Sequence, residues 1–298
     1  MTSAIVAELV DLLRLERLED NLFRGNSRDI GTRFVFGGQV LGQALSAAQQ
    51  TVDTSRAVHS MHAYFLRAGD NEKPIIYEVE RTRDGGSFSA RRVVAVQHGQ
   101  PIFVCTASFH IAQAGAEHQQ SMPEVPQPDD LEAPEPLSAA ALEQVPAKLR
   151  RWLMREGPFE FRHVWPRDPL NPPKRPPLQH VWFRLTAAVD DDPVLHRSLL
   201  AYASDFHLIG TATLPHGISY LHPNVQMASL DHALWFHRPF RIDDWLLYSC
   251  DSPTAQGARG LARGAMFERN GRLVASTAQE GLIRRLDTTL ETPGDRTQ

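Results

Sequence analysis

Cysteine is almost missing from these 298 residues: only Cys105 and Cys250 occur. Two thiols so far apart make neither a disulfide scaffold nor the close pairs of a zinc site. A reducing, cytoplasmic compartment is the expectation. Long apolar runs are missing too. No stretch approaches the ~20 residues that cross a bilayer, so no membrane insertion is expected, although 42% of the chain is hydrophobic. The N-terminal stretch carries Glu8, Asp11, Arg14 and Glu16 and does not read as a secretory leader. The closing Asp-Arg-Thr-Gln is neither a peroxisomal address nor a prenylation box. No sign of charge dominates: 31 basic against 35 acidic residues give −4, which disfavours nucleic acid as a partner. Lysine is scarce, with 3 Lys against 28 Arg, a skew that genomic composition explains more simply than anion recognition.

Several catalytic signatures are absent as well. Gly217-Ile-Ser219-Tyr-Leu lacks the closing glycine of a nucleophile elbow, and no Walker loop, dinucleotide fingerprint or His-Glu-x-x-His occurs. Gly37-Gly38-Gln-Val-Leu-Gly42 has the wrong glycine spacing for a dinucleotide loop and reads as a helix start that lets backbone approach a ligand. His59 and His62 lie three apart on a strand-like run and are expected on opposite faces. His232 and His237 have no acidic cluster beside them in sequence. Neither pair supplies the ligand set of a catalytic metal, and no metal or cofactor is expected. Asp231 and His232 resemble an acid–base pair, but strand neighbours point apart, so a structural role is expected of both.

Proline divides the chain. Thirteen of the 21 prolines fall between Pro123 and Pro177, and proline neither donates to a ladder nor continues a helix. Residues 116–178 therefore read as a connector, with one short helix near Leu137–Trp152. Residues 1–115 and 179–288 read as two denser units, and 289–298 as a polar tail. The two units repeat one order. The first has a helix-like Phe36–Val52, then strand-like runs at Val58–Leu66, Pro74–Val79, Ala90–Val96 and Ile102–Phe109. The second has a helix-like Pro193–Ile209, then Met227–Phe236, Trp245–Ser249, Ala262–Phe267 and Leu273–Gln279. His62-Ala63 aligns with His232-Ala233, Tyr77 with Tyr248, Ala90-Arg91 with Ala262-Arg263, and Gly99 with Gly271, at offsets of 170 to 172. Asn270-Gly271 between apolar alternations is a hairpin signal. The one helix of each unit is the only cover for its sheet, and Gly38, Gly42, Ala44, Ala47 and Ala48 let a sheet curl closely around the first. The expected fold is α+β, a double hotdog: two tandem repeats, each a curved antiparallel sheet wrapped around one central helix.

Asp205 is the most informative polar residue. Asp192 and Pro193 open its helix as N-cap and first residue, and its helical neighbours Ala201, Tyr202, Leu208 and Ile209 set the carboxylate into an apolar stripe. Buried without donors it costs several kcal/mol, so it needs waiting partners or a raised pKa. A structural carboxylate and a functional one fit this equally. Ser229 and Gln279 are polar groups inside strand-like runs, where a solvent-facing position is the commoner reading.

Leu22-Phe-Arg-Gly-Asn, Phe34-Val-Phe-Gly-Gly-Gln-Val, Val58 through Asp70, Gly86-Ser-Phe-Ser-Ala-Arg-Arg92, Trp235-Phe-His-Arg-Pro-Phe240 and Val274 through Gly281 resemble the acyl-CoA thioesterase II family. The resemblance runs from about Leu12 to Leu286 and weakens in the proline-rich connector. It implies a double hotdog, an acyl-CoA substrate of medium to long chain, and a homo-oligomer, dimer or tetramer. It also implies an Asp, a Thr or Ser and a Gln holding a hydrolytic water, which fall here on Asp205, Ser229 and Gln279. Many relatives carry Thr where Ser229 stands; the loss of a methyl loosens χ1 but keeps the hydroxyl. Asp205 is then the general base, and Gly37 and Gly38 are candidates for binding the substrate through backbone N–H groups. Two other readings are an enoyl-CoA hydratase of the same fold and a non-catalytic acyl-CoA sensor. The hydratase pairs an Asp with a His, and Asp205 and His207 cannot share a helix face.

Overall fold

The structure, a computed structural model, describes residues 3–132 except 33, residues 142, 143, 145 and 150, and residues 157–286 except 167. The chain opens with helix α1 (Ala4–Leu13), capped by the Ser3 side chain, which accepts from Val6 N–H. The first half continues with β1 (Glu16–Glu19), β2 (Leu22–Gly25), α2 (Gly37–Gln49), β3 (Arg56–Phe65), β4 (Ile75–Asp84), β5 (Phe88–Gln97) and β6 (Gln100–Ile111). The second half has β7 (Phe159–His163), β8 (Leu178–Leu185), α3 (Pro193–Ala203), β9 (Val225–Ser229), β10 (Asp231–Phe236), β11 (Leu246–Gln256), β12 (Arg259–Glu268) and β13 (Leu273–Arg285). These strands form one 13-stranded antiparallel sheet ordered β1-β2-β4-β5-β6-β3-β10-β13-β12-β11-β8-β7, with β9 also on β13. Turn chemistry supports the register: His98 (φ 49°) and Gly99 (φ 70°) are both left-handed, the pair a two-residue hairpin needs.

Both halves wrap their sheet around a helix, which is the double hotdog the sequence led us to expect. They join edge to edge where β3 pairs β10, with His62 opposite Ala233, Met61 opposite Leu234 and Ala63 opposite His232. A pseudo-twofold passes between His62 and Ala233, so the true offset in these strands is 171. The alignment of His62 with His232 is corrected by one residue: His62 is exposed and His232 is 1% exposed, and a one-residue slip exchanges the faces of a strand. The same holds for Arg91, which faces inward like Ala262 and not outward like Arg263.

Three further expectations change. The small residues Gly38 and Gly42 receive α3 rather than the sheet: a Cβ on Gly38 would lie 2.2 Å from Tyr202 O, and one on Gly42 3.0 Å from Ser198 O. His59 and His62 share the outer face, because a register shift between Val58 and Ser60 adds a residue and turns His59 outward. The stretch 116–178 contains β7, and its proline-rich part packs on the sheet. Trp182 Nε1–H donates to Pro126 O (2.9 Å), and Met122, Val125 and Leu131 cover Trp182, Trp245, Leu247 and Phe267. The expected helix near 137–152 and the tail 289–298 lie outside the described residues, the former but for a few positions.

Candidate active site

Glycine brings two helix ends together. Contacts of Gly38 with Tyr202 and of Gly42 with Ser198, and the Gln49 Nε2 bond to Ser198 Oγ (2.9 Å), make α2 and α3 antiparallel neighbours. The start of α2 therefore abuts the end of α3. A larger residue at 38 would push the backbones apart, since the atom it meets first is the Tyr202 carbonyl oxygen, which cannot rotate away.

Asp205 sits at that junction. It lies just past α3, whose last turn closes at Ser204, so it is a turn residue rather than a member of the helical stripe. Its carboxylate is half-buried and held from three elements. Gln279 Nε2 donates to Oδ1 (2.7 Å), Ser229 Oγ donates to Oδ1 (3.4 Å), and the backbone N–H of Gly38 donates from the start of α2. Burial pushes the Asp205 pKa above its ordinary value, against the pull of these three donors. A Cβ on Gly37 would come within 2.6 Å of Oδ2. Glycine at 37 leaves room for the carboxylate, and Gly38 supplies its donor to that carboxylate directly.

Ser229 and Gln279 come in from the sheet. Gln279 lies opposite Ala262 on β12, an inward position of β13, and is fully buried. Ser229 ends β9 opposite Gly281, while Ala233 in β10 lies opposite Ala278, so the register slips by one between them. That extra residue puts both Ser229 and His232 on the inner side, where an unbroken strand would separate residues three apart. Gln279 Nε2 also lies 3.1 Å from Ser229 Oγ and 3.1 Å from His232 Nδ1. His232 and Ser204 thus belong to the network; of the two, the sequence singles out only His232, and that for a structural role. Asp231 points the other way and accepts from Glu280 N–H (2.6 Å).

The pseudo-twofold places Thr51, Val58, Met61 and Ala107 where the second half has Asp205, Ser229, His232 and Gln279. None can hold a carboxylate or a water in the same way. Arg91, opposite Ala107 on β6, fills that space and donates to Thr51 Oγ1 (2.9 Å), Thr51 O (3.0 Å) and Asp84 Oδ1 (2.7 Å). One half of the duplication keeps the constellation, and the other closes it with a buried guanidinium.

Fold and relatives together define a hotdog-fold thioester hydrolase, and the chain belongs to the acyl-CoA thioesterase family. Models of that family match at residues 154–282, described as acyl-CoA thioesterase, and at 24–110, described as acyl-CoA thioesterase N-terminal domain. Acyl-CoA thioesterase 2 of Haemophilus influenzae is 45% identical over 282 residues, covering 95% of this chain and 99% of that one. The crystal structure of acyl-CoA thioesterase II TesB2 from Mycobacterium marinum superposes with a TM-score of 0.76 at 45% identity, covering 94% and 99% of the two chains. A hot dog fold protein from Alicyclobacillus acidocaldarius, 18% identical, superposes with a TM-score of 0.74 over 93% of this chain and 98% of that one, a likeness of fold alone.

Proposed function

We propose that this chain hydrolyses medium- to long-chain fatty acyl-CoA to the free acid and CoA, with Asp205 as general base. The observation that carries the reading is the half-buried carboxylate held by Gln279, Ser229 and the Gly38 N–H. A thioester carbonyl is electrophilic enough for water, so no covalent nucleophile is needed. Asp205 takes one proton from the attacking water, whose oxygen bonds to the carbonyl carbon. The tetrahedral intermediate expels the CoA thiolate, and the Asp205 proton returns to that sulfur. Ser229 orients the water, and Gln279 keeps the carboxylate in place. The Gly37 N–H, at the first position of α2 where no intrahelical acceptor exists, is the donor proposed for the developing oxyanion. The rings of Phe36, Tyr202 and Phe206 pack at 4.7 to 5.8 Å beside Asp205 and suit an apolar acyl group. General-base catalysis is worth about 10²- to 10⁴-fold, the loss expected of kcat in Asp205→Asn.

The hydratase reading needs an Asp–His dyad, whereas the partners of Asp205 are Gln279, Ser229 and the Gly38 N–H. His207 has its ring against Phe161 and His163, and His232 bonds Gln279 and Ser204 rather than Asp205. The decisive experiment is CoA release from decanoyl-CoA and palmitoyl-CoA by the wild type and Asp205→Asn. Rapid release lost in a folded variant supports hydrolysis; release unchanged in the variant sinks Asp205 as base. Binding without release by either protein turns the reading to an acyl-CoA sensor. Cys105 and Cys250 are both free and buried, and no helix among the described residues is long and apolar enough to cross a membrane; both fit a cytoplasmic enzyme. Exposed Tyr64 and Phe88 support assembly into a dimer or tetramer, which sedimentation would measure.

A further inference from the structure

The Gln279 amide can turn by half a revolution about its last bond, exchanging oxygen for nitrogen at little steric cost. In one orientation it donates to Asp205; in the other it sets a carbonyl oxygen against a carboxylate. Something must choose between them, and the neighbouring hydrogen bonds say what does. Tyr248 Oη donates to Ser204 O (3.0 Å), which ties down the residue after α3. Ser204 Oγ donates its one proton to Ala201 O (2.9 Å). At its contact with His232 Nε2 (2.9 Å) the same oxygen can therefore only accept. The His232 ring is enclosed, and burial drives its pKa down to about 3. A neutral ring that donates from Nε2 has a bare Nδ1, and Nδ1 lies 3.1 Å from Gln279 Nε2. Only an N–H can satisfy it.

We infer that His232 is a positioning residue: its Nδ1 holds the Gln279 amide with both N–H groups turned toward His232, Asp205 and Ser229. The inference rests on the hydrolytic reading of Asp205 given above. The two amide protons then serve three acceptors, one on His232 Nδ1 and the other shared between Asp205 Oδ1 and Ser229 Oγ. Gln279 Oε1, buried and without a hydrogen-bond partner among the described residues, is turned away from the carboxylate and kept as an acceptor. His232 does not touch substrate and transfers no proton. Its work is to make the glutamine a donor at the base, which the sequence position beside Asp231 does not suggest.

The test is steady-state hydrolysis of decanoyl-CoA by His232→Met, His232→Asn and His232→Gln, with Asp205→Asn alongside. Methionine stands at the equivalent place in the first half, Met61, fully buried, so this architecture accommodates it. It removes the acceptor and is expected to lower kcat by about 10- to 100-fold, the range for a residue supporting a catalytic group, with KM within about twofold. Asparagine puts an amide oxygen near the place of Nδ1 and is expected to keep kcat within about threefold, whereas glutamine, whose polar atoms reach instead toward Nε2, is expected to fall with methionine. Wild-type kcat in His232→Met, or an equal fall in the asparagine and glutamine variants, overturns the inference. Should the methionine variant not fold, the contrast between asparagine and glutamine decides alone. Full activity in Asp205→Asn would instead remove the hydrolytic reading itself, an outcome separate from any failure of the His232 variants.

Discussion

Gly37→Ala separates the needs of the helix from those of the site. Gly37 is the first residue of α2 and does not adopt a positive φ, so alanine fits its backbone. Helix propensity favours alanine there by at most about 1 kcal/mol. The new methyl, however, would lie 2.6 Å from Asp205 Oδ2 and 3.1 Å from the Phe65 ring. Ordinary contact starts near 3.4 Å, so the carboxylate or the helix start must retreat by about 0.8 Å. The carboxylate is held by Gln279, Ser229 and Gly38 and has little freedom. A misplacement near 1 Å in an active site costs about 10²-fold in rate, which corresponds to about 2.7 kcal/mol of barrier. The expected outcome is a folded protein with an unchanged or slightly raised Tm and a kcat for decanoyl-CoA down by that factor, read from thiol release and thermal unfolding of the same preparation. Wild-type kcat in Gly37→Ala would refute the placement of the reactive carboxylate against the start of α2. Gly38→Ala gives the contrast: its methyl meets a backbone carbonyl at 2.2 Å, so the expected loss is of folding.

The pH dependence of activity follows from the same burial. Asp205 must be ionised to act, and its pKa is raised above the ordinary 3.8, so kcat/KM is expected to fall on acidification with a midpoint above that value. Because its folded pKa is the higher one, its contribution to stability is complete below the unfolded pKa and is lost as pH rises through the folded one; a midpoint at or below 3.8 would contradict the geometry. His232 acts in the opposite sense. Its pKa falls from 6.5 unfolded to about 3 folded, so the unfolded state binds the extra proton between those values. Stability should drop as pH falls through that window, and chemical denaturation at several pH values should show a shallower drop in His232→Met. At position 229, Ser229→Thr retains the hydroxyl and is expected to keep kcat within about threefold. Ser229→Ala removes a donor to a charged group, worth about 1.5 to 3 kcal/mol, and is expected to lose about 10- to 100-fold; equal kinetics of the two variants would show that the hydroxyl does not serve the base.

Periodicity, turn residues and internal repetition were enough to read the double hotdog from the chain, because strand alternation and hairpin chemistry are local and a duplication states its pattern twice. That Asp205 needs polar partners was legible locally, since a carboxylate amid Ala201, Tyr202, Leu208 and Ile209 is conspicuous wherever the helix stops; its role was not. Alternation alone favoured solvent for Ser229 and Gln279, and only the family resemblance pointed to them. The partnership was not legible. Ser229 and His232 face the same side only because β9 and β10 slip by one residue against β13, and no residue type announces such a slip. The equivalent slip beside Val58 turned His59 outward against expectation. Gly38 reaches Asp205 only because α2 and α3 touch through Gly38 and Gly42, an approach between segments far apart in sequence. Residue types along the chain therefore determined the elements and the chemical groups available. Which of those groups meet was decided by strand register and helix contact, since both depend on pairing between distant segments.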